Sequence, residues 1–490
     1  MSKRFLAFDL GAESGRAELV TLSDDRVEMR EFHRFPNRPV RLGDTLYWDF
    51  PFLFAQILTA LRICAEQDIS LDGIGLDTWG VDFGLLGRDR QLISNPVHYR
   101  DSRTDGIHEY SDPIMPREEV FRKTCCEPWA ISSLFQLLAM KKDGSPVLEA
   151  AGTFLNMPDL FNFYLTGEMV SERSIASTSN LMGPDGRWNS EIIERFNLPA
   201  IFVELKEPGQ ILGPLPPSIQ DQTGLGPVPV ILTLGHDTSA AVAAVPARGK
   251  NWAFLSCGTW SIIGRLCPEP VLTAACLEAG FSNEYTLGTW FLCRNISGLW
   301  LVQELCRQWD RPSDPWDYGR LTGEASSADS TSLFDVSDES LLAPADMEQA
   351  LLKLMDRLGQ PRPATKGELV RSVLESLACE YAVRLEIMDR IISRPSESLY
   401  LVGGGVANRL LCQWTADAIG LEVEAGAAQC TAYGNALTQA MALEAVESQD
   451  EIRRIMRNSH DLITYHPGQT DEWKEKVSKY KEMLEKNYST

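Results

Sequence analysis

Basic residues are in short supply: 46 Lys and Arg stand against 68 Asp and Glu, leaving a net charge of −22 over 490 residues. Nucleic acid and anionic membranes attract clustered Lys and Arg, so the balance argues against both, and any anionic ligand must be met by local groups. No apolar run approaches the length that crosses a bilayer, which argues against a helical anchor. Residues 1–10, MSKRFLAFDL, pass from a short basic start into a strand pattern. They lack the apolar core and cleavage site of a secretory signal, so the mature chain is expected to start here and to be cytoplasmic. The eleven cysteines are scattered apart from Cys125-Cys126, with no CxxC, and the six histidines form no HxxxH or HExxH. Reduced thiols are therefore expected rather than a disulfide framework, and a zinc centre is disfavoured. The chain has no GxxxxGK[ST], and Gly403-Gly404-Gly405 lacks the full GxGxxG pattern, which disfavours P-loop and Rossmann phosphate sites.

Hydrophobic residues make up 44% and charged residues 23%, an ordinary globular balance in a chain too long for one core. Two domains, or two similar halves with insertions, are expected. The first half opens as a β-hairpin, with strands at Arg4 to Phe8 and Arg16 to Leu22 around a turn at Gly11 to Gly15. A further strand at 26–33, a helix begun by Asp49-Phe50-Pro51 and a strand at Ile74 to Thr78 follow, the order of an α/β domain. Residues 96–103, PVHYRDSR, read as a polar, cationic loop, and helical patterns cover 131–141 and 157–165. Beyond Gly249 the pattern restarts: strand Trp252 to Ser256, turn Gly258-Thr259, strand Trp260 to Arg265. LAFDLGAESGR in the first half and FLSCGTWSIIGR in the second share this plan, which points to duplicated domains. Residues 321–346, rich in Ser, Ala, Asp and Glu, read as a surface excursion. A long helix runs from about Lys366 to Ile392, and Leu399 to Val402 is a buried strand. After the three glycines comes a helix with Val406, Leu410 and Trp414 on one face, and a charged amphipathic helix starts near Asp471.

Four stretches carry chemistry. Asp9-Leu10-Gly11-Ala12-Glu13-Ser14-Gly15-Arg16 combines two glycines that let backbone N–H groups approach an anion with a guanidinium that supplies positive charge. An ordinary hairpin turn with a surface Arg is an equal reading of that octapeptide. Asp9 favours the first, because a carboxylate ending a buried strand is costly unless paired or facing a metal-bound phosphate. Asp77-Thr78-Trp79-Gly80-Val81-Asp82 sets two carboxylates and an indole at a strand end, as a sugar site or as a turn with a core Trp. Gly403-Gly404-Gly405 follows a strand, either as a close approach to a nucleotide or as a plain turn. Gly235-His236-Asp237-Thr238 follows the strand Val228 to Leu232 and opens a small-residue helix, so Asp237 is a helix cap or a carboxylate fixed for chemistry.

Taken in order, these blocks resemble the FGGY carbohydrate kinases over nearly the whole chain. DLGAESGR at 9–16, GLDTWGVDFGLL at 75–86, HYRDSRT at 98–104, MPDLFNFYLTG at 157–167, GHDTSAAV at 235–242, LSCGTW at 255–260, RNISGLWLVQ at 294–303 and VGGGVAN at 402–408 carry the likeness. The resemblance implies an α/β fold of two RNase H-like, actin-like ATPase domains, 1–246 and 247–490, flanking a catalytic cleft, with the last helix packing across them. It implies phosphoryl transfer from Mg·ATP to a ketose: L-rhamnulose at its 1-hydroxyl first, L-fuculose or a pentulose as alternatives. Asp237 is then the general base, a role that suits a reaction needing positioning, charge stabilisation and a proton acceptor. By the same likeness Gly80, His236, Asp237 and Thr238 bind sugar, and Asp9 anchors Mg²⁺ through water. Ala12, Glu13, Ser14, Gly15 and Arg16 form the first phosphate loop, and Thr259, Asn295, Gln303 and Gly404 belong to the nucleotide site. Glu13 departs from the small polar residue common in that loop, so it is expected to point away from phosphate or to order metal-bound water. Cys125-Cys126 and Pro128 also depart from the pattern. A silent sugar-binding protein on the same fold ranks below the enzyme, because base, phosphate hairpins and glycine turn occur together.

Overall fold

The computed structural model describes residues 2–329 and 332–488. They form two compact units. The first comprises Met1–Pro246 with the later segments Leu266–Leu292 and Cys430–Ser459; the second comprises Ala247–Arg265, Cys293–Gln429 and His460–Thr490. The chain leaves the first unit after Pro246, and two segments from the second half of the sequence return to it.

The first unit is built on a sheet with strands in the order Gln210–Pro214, Pro229–Leu232, Gly73–Thr78, Lys3–Leu10, Ser14–Ser23 and Arg26–Pro36. The last three form an antiparallel meander, and Lys3–Leu10 pairs in parallel with Gly73–Thr78. Alternation sorts the faces. Leu6, Phe8, Leu10, Ile74 and Leu76 enter a core with Leu53, Ile57 and Leu61 of the helix Phe50–Glu66 and Leu160 and Phe161 of Met157–Thr166. The opposite face carries Ala7, Asp9, Gly75 and Asp77 and receives the helix Cys430–Ala442. Glycine is needed there: a Cβ on Gly75 would lie 2.6 Å from Asn435 Oδ1 and 2.7 Å from Gln439 Nε2.

The second unit repeats the plan. Trp252–Cys257 and Trp260–Cys267 form an antiparallel hairpin, and Trp252–Cys257 pairs in parallel with Ser398–Val402, which pairs with Val423–Ala425. The helix Lys366–Ile392 starts with Thr365 accepting from the Glu368 N–H, while Glu368 Oε2 accepts from the Ala364 N–H; it buries Leu369, Val373, Leu377 and Tyr381. The final helix, Thr470–Tyr488, lies along it through Lys476–Glu375 at 2.8 Å and Tyr480 OH donating to Glu380 Oε2 at 3.1 Å.

Two expectations are corrected. Residues 321–346 are not a mere excursion: Leu321 and Ala325 of the helix Tyr318–Ser327, with Phe334, Val336 and Leu341, are buried, and residues 330 and 331 lie outside the described ones. The helix after the glycines spans Arg409–Ile419 and buries Leu411, Cys412 and Trp414 rather than Leu410, because a short 3₁₀ turn, Gly404–Ala407, shifts its start and hence its face. All eleven cysteines are free thiols. Burial pushes the Cys125 and Cys276 thiols up to about 12, so they stay protonated. Among the described residues no helix is long and apolar enough to cross a membrane.

Candidate active site

Strand pairing sets a row of charges across the first unit's sheet. Asp77 partners Asp9 in the parallel ladder, Asp9 partners Arg16 in the antiparallel one, and Arg16 partners Arg34 in the next. Ladder partners share a face, so two carboxylates stand beside two guanidinium groups. Burial first, then nearby Asp237, lifts the Asp9 carboxyl to about 6, against the pull of Arg16 and Arg34. Asp77 is fully buried and is lifted well above the ordinary carboxylate range by burial and by Asp9. Asn435 Nδ2 donates to Asp77 Oδ2 at 2.6 Å, and Gln439 Nε2 donates to Asn435 Oδ1 at 2.9 Å. Asp77 Oδ1 has no hydrogen-bond partner among the described residues.

The turn Gly11 to Ser14 is closed by Gly11 N–H donating to Ser14 O at 3.0 Å and is tied down by Asn37, whose Nδ2 donates to Gly11 O and whose N–H donates to Glu13 O. Ala12, Ser14 and Arg16 keep partial exposure, and Glu13 projects into solvent. Gly15 is fixed by packing, since a Cβ there would meet the Phe35 ring at 2.3 Å.

Asp237 is the first residue of the helix Asp237–Ala243, and His236, in extended conformation, occupies the cap position; Asp237 is therefore not the N-cap. A buried carboxylate holds the approach. Glu172 Oε2 accepts from Gly235 N–H at 2.9 Å, Ser174 Oγ accepts from His236 N–H at 3.2 Å, and Thr78 N–H donates to Gly235 O at 2.9 Å. Gly235 leaves no room for a side chain, because a Cβ would come within 2.9 Å of Pro158 and 3.0 Å of Glu172 Oε2. The Thr238 N–H and hydroxyl both donate to Asp237 Oδ1, and His236 Nε2 lies 3.3 Å from the same oxygen. Oδ2 is left without a protein hydrogen bond among the described residues, on a side chain 30% exposed. Burial raises the Asp237 carboxyl, while His236 and the Thr238 bonds lower it. On its other side His236 Nδ1 lies 3.0 Å from Glu284 Oε2.

Gly80 sits against Thr178, whose Oγ1 accepts from the Val81 N–H at 3.1 Å. Val81 has φ +66°, a strained setting for a β-branched residue, and its carbonyl accepts from Ser133 Oγ at 2.6 Å. The bridge between Thr78 and His236 links this strand end to the Asp237 segment, so Gly80, His236, Asp237 and Thr238 fall in one neighbourhood. Asp82 is engaged elsewhere: Trp48 and Trp79 indoles donate to Oδ2 at 2.6 and 2.9 Å, and Gln136 Nε2 donates to Oδ1 at 2.9 Å. It is the hub of a core turn.

In the second unit the hairpin turn is tighter, with Gly258 N–H donating to Trp260 O at 2.9 Å. Thr259 Oγ1 donates to Gln303 Oε1 at 3.3 Å, which brings those two candidates together. Gly298 packs on the same turn, 2.7 Å from Gly258 O if it carried a Cβ, and Asn295 lies three residues earlier on the strand Trp290–Ser297. Gly403, at φ +85°, and Gly405 press on Cys257, whereas a Cβ on Gly404 would meet nothing within 4 Å. Gly404 thus presents bare backbone beside the hairpin.

The first unit's carboxylates suit a hydrated magnesium ion. Among the described residues no group of three His, Cys, Asp or Glu is arranged to hold a metal. Mg²⁺ commonly uses one or two carboxylates and keeps several waters, which fits Asp9 beside Asp77 with its partnerless Oδ1.

Glu284, Asn435, Gln439 and Arg34 were not singled out in the sequence. Arg34 lies just past the expected strand 26–33 and meets Arg16 only through the sheet register; the others arrive from the segments that return to the first unit.

Residues 4–244 match the N-terminal domain of the FGGY family of carbohydrate kinases, and residues 253–443 match its C-terminal domain. The chain is 40% identical over 477 residues to a rhamnulokinase of Bacteroides thetaiotaomicron, covering 96% of this chain and 98% of that protein. It is 34% identical over 463 residues to a rhamnulokinase of Halalkalibacterium halodurans, covering 94% and 98%. Among solved structures, a gluconate kinase from Lactobacillus acidophilus matches in fold with TM-score 0.83 at 13% identity, over 99% of this chain and 98% of that one. The fold is the two-domain actin-like ATPase fold of sugar kinases, and the protein is an enzyme of that class. It belongs to the FGGY family of carbohydrate kinases.

Proposed function

We propose that this kinase phosphorylates L-rhamnulose at its 1-hydroxyl with ATP and Mg²⁺, giving L-rhamnulose 1-phosphate. The sugar follows from the relatives, 40% and 34% identical along nearly their whole length and both rhamnulokinases. The observation that carries the mechanism is the Asp237 carboxylate, with Oδ1 engaged and Oδ2 open. Asp237 Oδ2 takes the hydroxyl proton, the sugar oxygen bonds to the γ-phosphorus, and the bond to the β–γ bridging oxygen breaks, releasing ADP. Gly80, His236 and Thr238 border the sugar. Ala12 to Arg16 supply backbone N–H groups and a guanidinium to phosphate oxygens; Thr259, Asn295, Gln303 and the bare backbone at Gly404 serve the nucleotide. Asp9 and Asp77 would hold Mg²⁺ through water, and the ion supplies charge neutralisation to the phosphates.

The test is turnover against a panel of ketoses with ATP, with phosphorus NMR locating the product phosphate. L-Rhamnulose should give the highest kcat/KM, and Asp237→Asn should lower kcat by about 10³-fold or more while nucleotide affinity is kept. A higher kcat/KM on L-fuculose or a pentulose would reassign the substrate but leave the base in place. ATP binding without phosphorylation of any ketose would sink the reading.

A further inference from the structure

We propose that Glu284 is a positioning residue for phosphoryl transfer, acting through His236 to hold Asp237 as an ionised base with Oδ2 free. This rests on the reading of Asp237 as the base. Three side chains of the first unit stand in line: Glu284 Oε2 is 3.0 Å from His236 Nδ1, and His236 Nε2 is 3.3 Å from Asp237 Oδ1. Carboxylate oxygens thus lie within ion-pair range of both ring nitrogens, and Ser239 Oγ lies 3.5 Å from Nδ1. A neutral imidazole carries no charge to set against either carboxylate, whereas an imidazolium forms an ion pair with both. The His236 and Glu284 side chains are 10% and 8% exposed, so water screens the pair little. Burial alone pulls His236 down, but Glu284, Asp237 and Glu172 together raise it above its ordinary value.

The charged arrangement answers a difficulty at the base. Asp237 is partly buried, and burial together with Glu284 raises its carboxyl, which favours a protonated, inactive form. An imidazolium against Oδ1 opposes that and directs the proton-accepting role to Oδ2. The line is braced from behind. Asn283 Nδ2 and N–H donate to Cys125 O, and the Glu127 N–H donates to Ser282 Oγ. The Cys125-Cys126 segment, unexplained by sequence, thus steadies the strand Ser282–Tyr285 that carries Glu284.

The experiment is the pH dependence of kcat/KM for Glu284→Gln, on whichever ketose the wild-type enzyme turns over best. Without the carboxylate His236 loses its charge, and the acid limb should move up by about one pH unit. Activity at pH 6 should then fall about tenfold and recover toward wild type at pH 8.5, with the sugar KM changed less than about threefold. Glu284→Asp should retain most of the wild-type profile. If Glu284→Gln does not fold, the acid limb of kcat for His236→Gln is read in its place and should move up in the same direction, its sugar KM left aside because His236 borders the sugar. An unchanged limb, or a loss equal at every pH with a raised sugar KM, would overturn the proposal. Asp237→Asn keeps the two readings apart: if it is inactive while Glu284→Gln has an unshifted limb, only the role of Glu284 fails; if it turns over normally, the base assignment fails first.

Discussion

In the first unit the strand Lys3–Leu10 carries Asp9 two residues before the hairpin glycine and sets it opposite Asp77; in the second, Trp252–Cys257 carries Ser256 at the matching place, opposite Val402. Glu18, which pairs with Ala7, likewise has Gly264, paired with Phe254, as its counterpart. One topology thus carries two chemistries. The first unit concentrates carboxylates against Arg16 and Arg34, as proton and cation chemistry requires. The second presents hydroxyl, amide and backbone groups at Thr259, Gln303 and Gly404, which under the proposed function meet the polyanionic nucleotide.

The sharpest way to break this comparison is to neutralise matched positions. Asp9→Asn should lower kcat by about 10²-fold or more, whereas Ser256→Ala should change it less than about threefold; steady-state kinetics at saturating Mg²⁺ decides. A similar effect at both positions would remove the asymmetry. Next comes the glycine turn. A Cβ on Gly405 would lie 2.3 Å from Cys257 Sγ, so Gly405→Ala should cost about 1–3 kcal/mol in urea unfolding. Gly404→Ala, with open space, should leave stability alone and raise the KM for ATP. Thr259→Val should raise the KM for ATP about tenfold without altering the sugar KM, the scale of one hydrogen bond to a charged group.

The gentlest test is a slope. Burial, reinforced by Asp9 and Glu31, lifts the Glu18 carboxyl from 4.5 to about 7. The folded chain then binds that proton more tightly than the unfolded one. Its contribution to stability is full below pH 4.5 and is lost as pH rises through 7. Glu18→Gln should flatten unfolding free energy against pH over that window by on the order of 1 kcal/mol per unit.

Both hairpins, the long helix and the strand-to-helix delivery of Asp237 were legible in the sequence, because each is encoded by local alternation, glycine and apolar spacing. The carboxylate row needed a sheet register, which no local pattern supplies; Asp77 read equally well as part of a turn. Asn435, Gln439 and Glu284 were invisible for a stronger reason: their partners lie 358, 433 and 48 residues away, and nothing in their own neighbourhoods marks them as polar supports. The misread stretch 321–346 failed differently. Its few apolar residues are diluted by Ser, Asp and Glu, so average composition hid the buried Leu321, Phe334 and Leu341. His236 showed both limits, readable as a neighbour of Asp237 but not as the centre of a charged line.

The helix Cys430–Ala442 touches the helix Asp237–Ala243 so closely that a Cβ on Gly434 would lie 1.9 Å from Ala240 O. Since Cys430–Ser459 belongs to the first unit, a chain growing from its N-terminus has made the whole middle of the second unit before the second face of the first unit's sheet can be covered. On the ribosome the first 246 residues wait with Ala7, Gly75 and Asp77 uncovered until the last tenth of the protein is under way. The enzyme's two units are therefore not two successive folding events: the half made first is completed by a piece made near the end.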